Sequence, residues 1–240
     1  MRERGILFND AMVRAILEGR KTQTRRIMKV QPESAQYGLA KVTSSTMKGD
    51  VGKYQWAESN ATGLKARSGL FRCPFGEVGD RLYVRETFAV LGNEDGAPVD
   101  WNDNVVKGDE ADAARIYRAS CEKRPGDYGL WSIPDDAFWK PHTKELKYEG
   151  SWRPSLHMPR WASRITLEIT DVRVERLKDI TNQDAMAEGV GHLYGYAEYP
   201  LTPKDATRRF AELWESQYGE GSWDKNPWVW CISFKRVEAD

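Results

Sequence analysis

Residues 19 to 26 read Gly19-Arg20-Lys21-Thr22-Gln23-Thr24-Arg25-Arg26, placing one lysine and two threonines among three arginines. Crowded cations disfavour a charged ammonium, so a lysine in this setting is expected to give up its proton readily and to act as a base. A threonine hydroxyl is inert without such a base beside it. Lys21 and a neighbouring threonine hydroxyl, such as that of Thr24, could therefore exchange a proton. In a regular strand residues 21 and 24 point to opposite faces, so their convergence requires irregular backbone between Gly19 and Thr22. The same run also reads as a solvated basic edge strand, because lysine blunts exposed sheet edges. Composition leaves both readings open.

The surrounding elements must position these groups. Met12, Ala15 and Ile16 recur at helical spacing within residues 10–18, with Asn9 or Asp10 as N-cap and Gly19 as the stop. A short helix thus delivers the basic run, which turns into a strand near Ile27, Met28 and Val30. Residues 31–75 are rich in Ser, Thr, Gly and Lys without a clear period, and are expected to be a long irregular excursion. Gly79-Asp80 signals a turn into a strand from Arg81, where Leu82, Val84 and Glu86 alternate with Tyr83, Arg85 and Thr87. Residues 91–150 form an insertion with a helix-like stretch around Asp109 to Ala119. Arg164 to Thr170 and Val172 to Leu177 suggest two strands or one bent one. Thr181 with Asp184 caps a two-turn helix that Gly189 closes after Glu188. Thr202-Pro203 opens a longer helix whose stripe of Ala206, Phe210, Leu213, Trp214 and Tyr218 ends at Gly219, and Trp228 to Val237 closes as a strand. Strands interleaved with three short helices, without a repeated βαβ unit, argue for an α+β fold with a mixed or barrel-like sheet in one domain over residues 1–240.

The octapeptide resembles the Gly-Arg-Lys-Thr-x-Thr-x-Arg run of the ASCH domain family, whose fold is PUA-like and whose compact bacterial members include the N4-acetylcytidine amidohydrolases. The helix before the run, Gly79-Asp80 leading into a strand, the basic segment Pro159 to Arg164 and the final strand with Phe234-Lys235-Arg236 add to the likeness. It is carried by about 100 residues in four pieces, and extends to larger members found in bacteriophage and prophage genomes. The resemblance implies a PUA-like mixed β-barrel with short flanking helices and two large insertions, at about 31–75 and 91–150. It implies Lys21 as proton acceptor, Thr24 as nucleophile and Glu188 as proton donor, with Glu86 as a rival acid. Arg20 and Arg26 are expected to steady a developing oxyanion, Arg160 to contact substrate and Trp161 to stack on a pyrimidine. The implied reaction cleaves an acyl amide at the exocyclic nitrogen of a modified cytidine. A binding module that holds RNA without breaking a bond, and a ribonuclease, are the alternatives.

Other chemistry lacks its motifs. Neither an H-x-E nor a P-C-x-x-C surrounds His142, His157, His192 or the cysteines, so no zinc deaminase is indicated. Without a Walker loop or a G-x-G-x-x-G, nucleotide triphosphates and dinucleotides have no support, and no cofactor or metal is expected. Cys73, Cys121 and Cys231 are too dispersed for a disulfide framework, and the N-terminus carries too short an apolar run for a secretory signal, which together fit the cytoplasm. No run approaches the roughly 20 apolar residues of a membrane span. Basic and acidic residues balance at 36 each, but residues 1–30 hold eight basic and three acidic side chains, whereas 91–150 hold eight and thirteen. An anionic ligand or RNA therefore belongs near the first segment. Most of the ten tryptophans should be core, with Trp152 and Trp161 the better stacking candidates.

Overall fold

A computed structural model describes residues 1–61, 63–93, 97–102, 104–108, 110–120, 152–190 and 203–237. Five strands build the main sheet: β1 (Glu3–Leu7), β2 (Gln23–Ile27), β6 (Arg81–Arg85), β9 (Thr166–Arg176) and β10 (Trp228–Val237), in the order β1-β6-β9-β10-β2. β1 runs parallel to β6 and every other pairing is antiparallel. The fold class is therefore mixed α+β, as the alternation of elements predicts.

The expected barrel closure is not found: among the described residues no backbone ladder joins the edge strands β1 and β2. The sheet is nevertheless curled. Four inter-strand gaps of about 4.8 Å would set the edges of a flat sheet about 19 Å apart, beyond the reach of one side chain. Yet Arg26 Nη2 on β2 donates to the Leu7 carbonyl at the end of β1 at 2.6 Å. A side chain, not a ladder, spans the opening.

The central strand β9 and its neighbour β10 carry a bulge. β9 is one strand of eleven residues rather than two, and its register against β10 slips between Ser233 and Phe234, leaving Thr170 without an opposite residue. Such a bulge bends a strand and increases its twist. Ile6, Val13, Leu82, Leu167, Ile169 and Ile232, all at most 1% exposed, belong to one hydrophobic core.

α1 (Asp10–Leu17) links the two edge strands. Asn9 caps it by accepting from Met12 N at 2.9 Å, and Gly19, at φ +73°, lets the chain leave in a left-handed conformation. α2 (Asn182–Ala187) carries the expected Thr181–Asp184 capping box. α3 (Pro203–Tyr218) buries Ala206, Phe210, Leu213 and Trp214 as its stripe requires, while Thr202 lies outside the described residues.

Two expectations are corrected. Residues 31–75 are not irregular: β3 (Gly38–Lys41), β4 (Tyr54–Asn60) and β5 (Gly63–Ala66) form an antiparallel sheet. Tyr54 and Trp56 tie it to the core, Trp56 lying 5.1 Å from Trp228 and Tyr54 edge-on to Trp230 at 5.2 Å. Where a helix was expected around Asp109 to Ala119, a tight turn at Glu110–Asp112 leads into β8 (Arg115–Tyr117), which pairs with β7 (Phe88–Val90). Ile116 and Ala114 bury against Ala89, Leu91 and Val99, so local packing overrides the helix preference of the alanines. Of the insertion beyond this point, residues 121–151 lie outside the described residues.

Candidate active site

Gly19 ends α1, and the Arg20 and Lys21 amides both donate to the Ala15 carbonyl at 2.9 Å. The chain then passes α2 before β2 begins: Lys21 bridges to Glu188, and Thr22 N donates to the Ala187 carbonyl at 2.9 Å. The backbone is thus irregular where a convergence of residues 21 and 24 would require it, but the Lys21 amine turns to Glu188, and among the described residues it makes no contact with Thr24. Gly189 permits the approach. Its φ is +86°, and a Cβ there would sit 3.0 Å from the Cβ atoms of both Ala15 and Lys21.

The result is a buried pair. The Lys21 side chain is 0% and that of Glu188 2% exposed, and Lys21 Nζ donates to Glu188 Oε2 at 2.8 Å and to its backbone carbonyl at 2.9 Å. Burial holds the Lys21 amine below its ordinary 10.5; Glu188 opposes that shift, and Arg26 and Arg25 add to it. The reading of this run as a solvated edge is half right, since β2 is an edge strand but Gln23, Thr24 and Arg25 are at most 5% exposed.

Thr24 and Glu188 line a shallow, solvent-open cleft whose interior volume is about 10 Å³, room for about one water, with Arg25 and Arg26 beside them. Met12 of α1 and the α3 residues Phe210, Leu213, Trp214, Gln217 and Tyr218 complete it. Phe210, Trp214 and Tyr218 recur every four residues and pack in series as an aromatic wall, the last two rings 4.3 Å apart, with Phe210 and Trp214 buried and Tyr218 exposed. Two buried donors beside this cleft, Arg26 Nε and Trp214 Nε1, have no partner among the described residues.

The other predicted residues separate from the cleft. Arg20 stands at the Lys21 end, donating to the Gly189 carbonyl at 3.2 Å and to Glu18 at 2.7 Å. Glu86 is 1% exposed and clasped by Arg164 through two 2.9 Å hydrogen bonds, with burial raising its carboxyl above the usual range. Arg160 pairs with Glu3 and covers the Tyr83 ring at 5.4 Å. Trp161 packs edge-on against Phe88 under Arg115. None of these four lines the cleft. Sequence reasoning missed Arg25 and the α3 wall; the strand spacing of 21, 23 and 25, and the four-residue spacing of the aromatics, were the available signals.

Among the described residues no group of three or more His, Cys, Asp or Glu side chains is arranged to hold a metal ion, and no helix is long and apolar enough to cross a membrane. His142, His192 and Cys121 lie outside the described residues. Cys73 and Cys231 are free and buried, their thiols pushed up to about 11 and about 12 by burial.

No family model matches the chain, and no curated protein matches it. Among solved structures, protein EF3133 from Enterococcus faecalis V583, assigned to the DUF984 family, is similar at 11% identity over 99% of this chain and 80% of that chain, with a TM-score of 0.33.

Proposed function

We propose that this is a PUA-like protein of the ASCH type whose cleft hydrolyses the N4-acyl amide of a modified cytidine, with Lys21 as base, Thr24 as nucleophile and Glu188 as acid. The observation that carries this reading is that Glu188 faces both ways: it is ion-paired to a buried lysine and lines the cleft that Thr24 also lines.

The pair stores the proton that the reaction needs. Its transfer from Lys21 Nζ to Glu188 Oε2, across a 2.8 Å contact, leaves a neutral amine beside a carboxylic acid. Lys21 then takes the Thr24 hydroxyl proton as Thr24 Oγ1 attacks the acyl carbon. Charge develops on the acyl oxygen, where Arg26 Nε, otherwise without a partner, is the donor at hand. Collapse expels the exocyclic nitrogen, which takes the Glu188 proton, leaving an acyl ester on Thr24 and the charged pair. Water attacks this ester as Glu188 accepts a proton from it and Lys21 returns one to Thr24 Oγ1. The balance is amide plus water to amine plus carboxylic acid.

Tyr218, the exposed end of the α3 aromatics at 38%, supports a flat ring as the occupant. Incubation with N4-acetylcytidine, with cytidine release followed by chromatography, tests the reading against Lys21→Ala and Thr24→Val. Turnover by the parent, and its loss in both variants with cytidine affinity within a few-fold, is the expected result. Thr24→Val is the informative variant, since its hydroxyl makes no hydrogen bond to another described residue whose loss would unfold the chain. RNA bound with a steep salt dependence, and no turnover, would replace the enzyme by a binding module.

A further inference from the structure

The motif that the octapeptide matches leaves the position before its last arginine open, and here that position is Arg25. An arginine with a fully buried side chain is costly unless every part of its guanidinium is engaged. Arg25 Nη1 donates to Gln23 Oε1 at 2.6 Å and to Glu188 Oε1 at 3.2 Å. Its Nε donates to Glu175 Oε1 at 3.0 Å, Nη2 reaches the same carboxylate, and Nη2 lies 3.5 Å from Asp184 Oδ2.

The brace has an outer layer. Arg173 on β9 donates to Glu175 Oε2 at 3.1 Å and to Asp184 Oδ1 at 2.7 Å, so each acid that holds Arg25 is itself held. Gln23 comes from β2, Glu175 from β9, and Asp184 from the first turn of α2. Three elements thus fix the plane of one guanidinium, and that guanidinium fixes one oxygen of Glu188.

We infer that Arg25 is the positioning residue of this site: it clamps Glu188 Oε1 so that Oε2 stays on Lys21 and the carboxyl group stays against the cleft. The inference rests on the reading of Lys21 and Glu188 as base and acid. An arginine suits the task where a lysine does not, because its planar fork satisfies several acceptors in fixed directions. The clamp also has an electrostatic side. The charged groups acting on Lys21 are Glu188, Arg26 and Arg25, and those acting on Arg25 include Glu188 and Glu175, with Asp184 in ion-pair range. Burial and Arg26 lower the Lys21 amine, and Arg25 lowers it further.

Arg25→Gln and Arg25→Lys test this, read by the pH profile of N4-acetylcytidine hydrolysis and, independently of turnover, by titration of the Lys21 ε-carbon in ¹³C-lysine-labelled protein. With Arg25→Gln, kcat should fall by about 10- to 100-fold with little change in KM, as expected for a displaced catalytic group. The acid limb of the profile and the Lys21 midpoint should both move to higher pH. Arg25→Lys should restore the limb and the midpoint, because it restores the charge, but not the full kcat. An Arg25→Gln protein with the parent's kcat and Lys21 midpoint overturns the inference. If the parent itself has no turnover, the amidohydrolase reading falls, and the clamp is decided by the Lys21 midpoint alone. If Arg25→Gln does not fold, Arg25→Lys decides: parental kcat in that variant means that a point charge suffices and the fork positions nothing.

Discussion

Lys21 and Glu188, 167 residues apart in sequence, meet through both the side chain and the backbone of the glutamate, whose carbonyl and carboxylate each accept a hydrogen bond from the same ammonium. The double contact means that the lysine is placed by the C-terminus of α2 as a whole, not by a mobile carboxylate alone. It also makes the pair part of the fold's stability, since two charges withdrawn from water depend on each other.

Lys21→Met should accordingly destabilise the protein by about 3 kcal/mol or more, because Glu188 stays buried with only Arg25 to hold it. Lys21→Met combined with Glu188→Gln should cost less than the two single changes added together. Urea unfolding of the four proteins measures the coupling, and additive losses would mean that the contact contributes nothing specific.

The pH dependence of stability follows from the same burial. Between the lowered value of the folded-state Lys21 and its ordinary 10.5, the unfolded chain carries a proton on this residue that the folded protein does not. Stability from Lys21 therefore rises with pH across that window, is flat above 10.5, and is at its least favourable below the lowered value, where both states are protonated. The difference in unfolding free energy between the parent and Lys21→Met should grow in the parent's favour from neutral pH toward 10.5. A difference that shrinks over that range would contradict the assignment.

How much of this was written in the sequence depends on the distance over which each feature is decided. The caps at Asn9 and Thr181, the stops at Gly19 and Gly189 and the stripe of α3 are local, and the structure has them where the residue types put them. Glu188 was found only through the helix that ends beside it. The sheet of β3, β4 and β5 was missed because its strands are short and polar, and Trp56 alone among them is deeply buried with a bulky side chain. Trp161 was given the stacking role because it stands between basic residues, but the basic residue it meets is Arg115, 46 positions earlier in the chain. Arg25 was passed over because its partners, Glu175, Asp184 and Glu188, come from the far half of the chain, and no local pattern announces them.

Gly189→Ala should damage both fold and site. The residue sits at φ +86°, which costs a side chain about 1 kcal/mol, and its Cβ would press on Ala15 and on the Lys21 stem at 3.0 Å. A loss of at least about 1 kcal/mol, or about 2–4 °C in Tm for a chain of this size, is expected. Catalysis should fall further than stability, since the contact displaces Lys21 from Glu188. Unaltered kcat in a destabilised Gly189→Ala protein would show that the Lys21 position is not set here.

The two aromatic candidates for ring binding can be separated directly. Tyr218 is 38% exposed at the cleft and packs at a tilt against Trp214, so Tyr218→Ala removes ring contact with little loss of core packing. Base stacking on an aromatic contributes about 1–3 kcal/mol, so cytidine affinity should weaken at least about fivefold. Trp161 lines no part of the cleft and is engaged by Phe88 and Arg115, so Trp161→Phe should leave that affinity unaltered. Titration calorimetry with cytidine on the two variants reads both. A loss confined to Trp161→Phe would return recognition to the basic segment that the sequence first suggested, and would leave the wall of α3 as core packing alone.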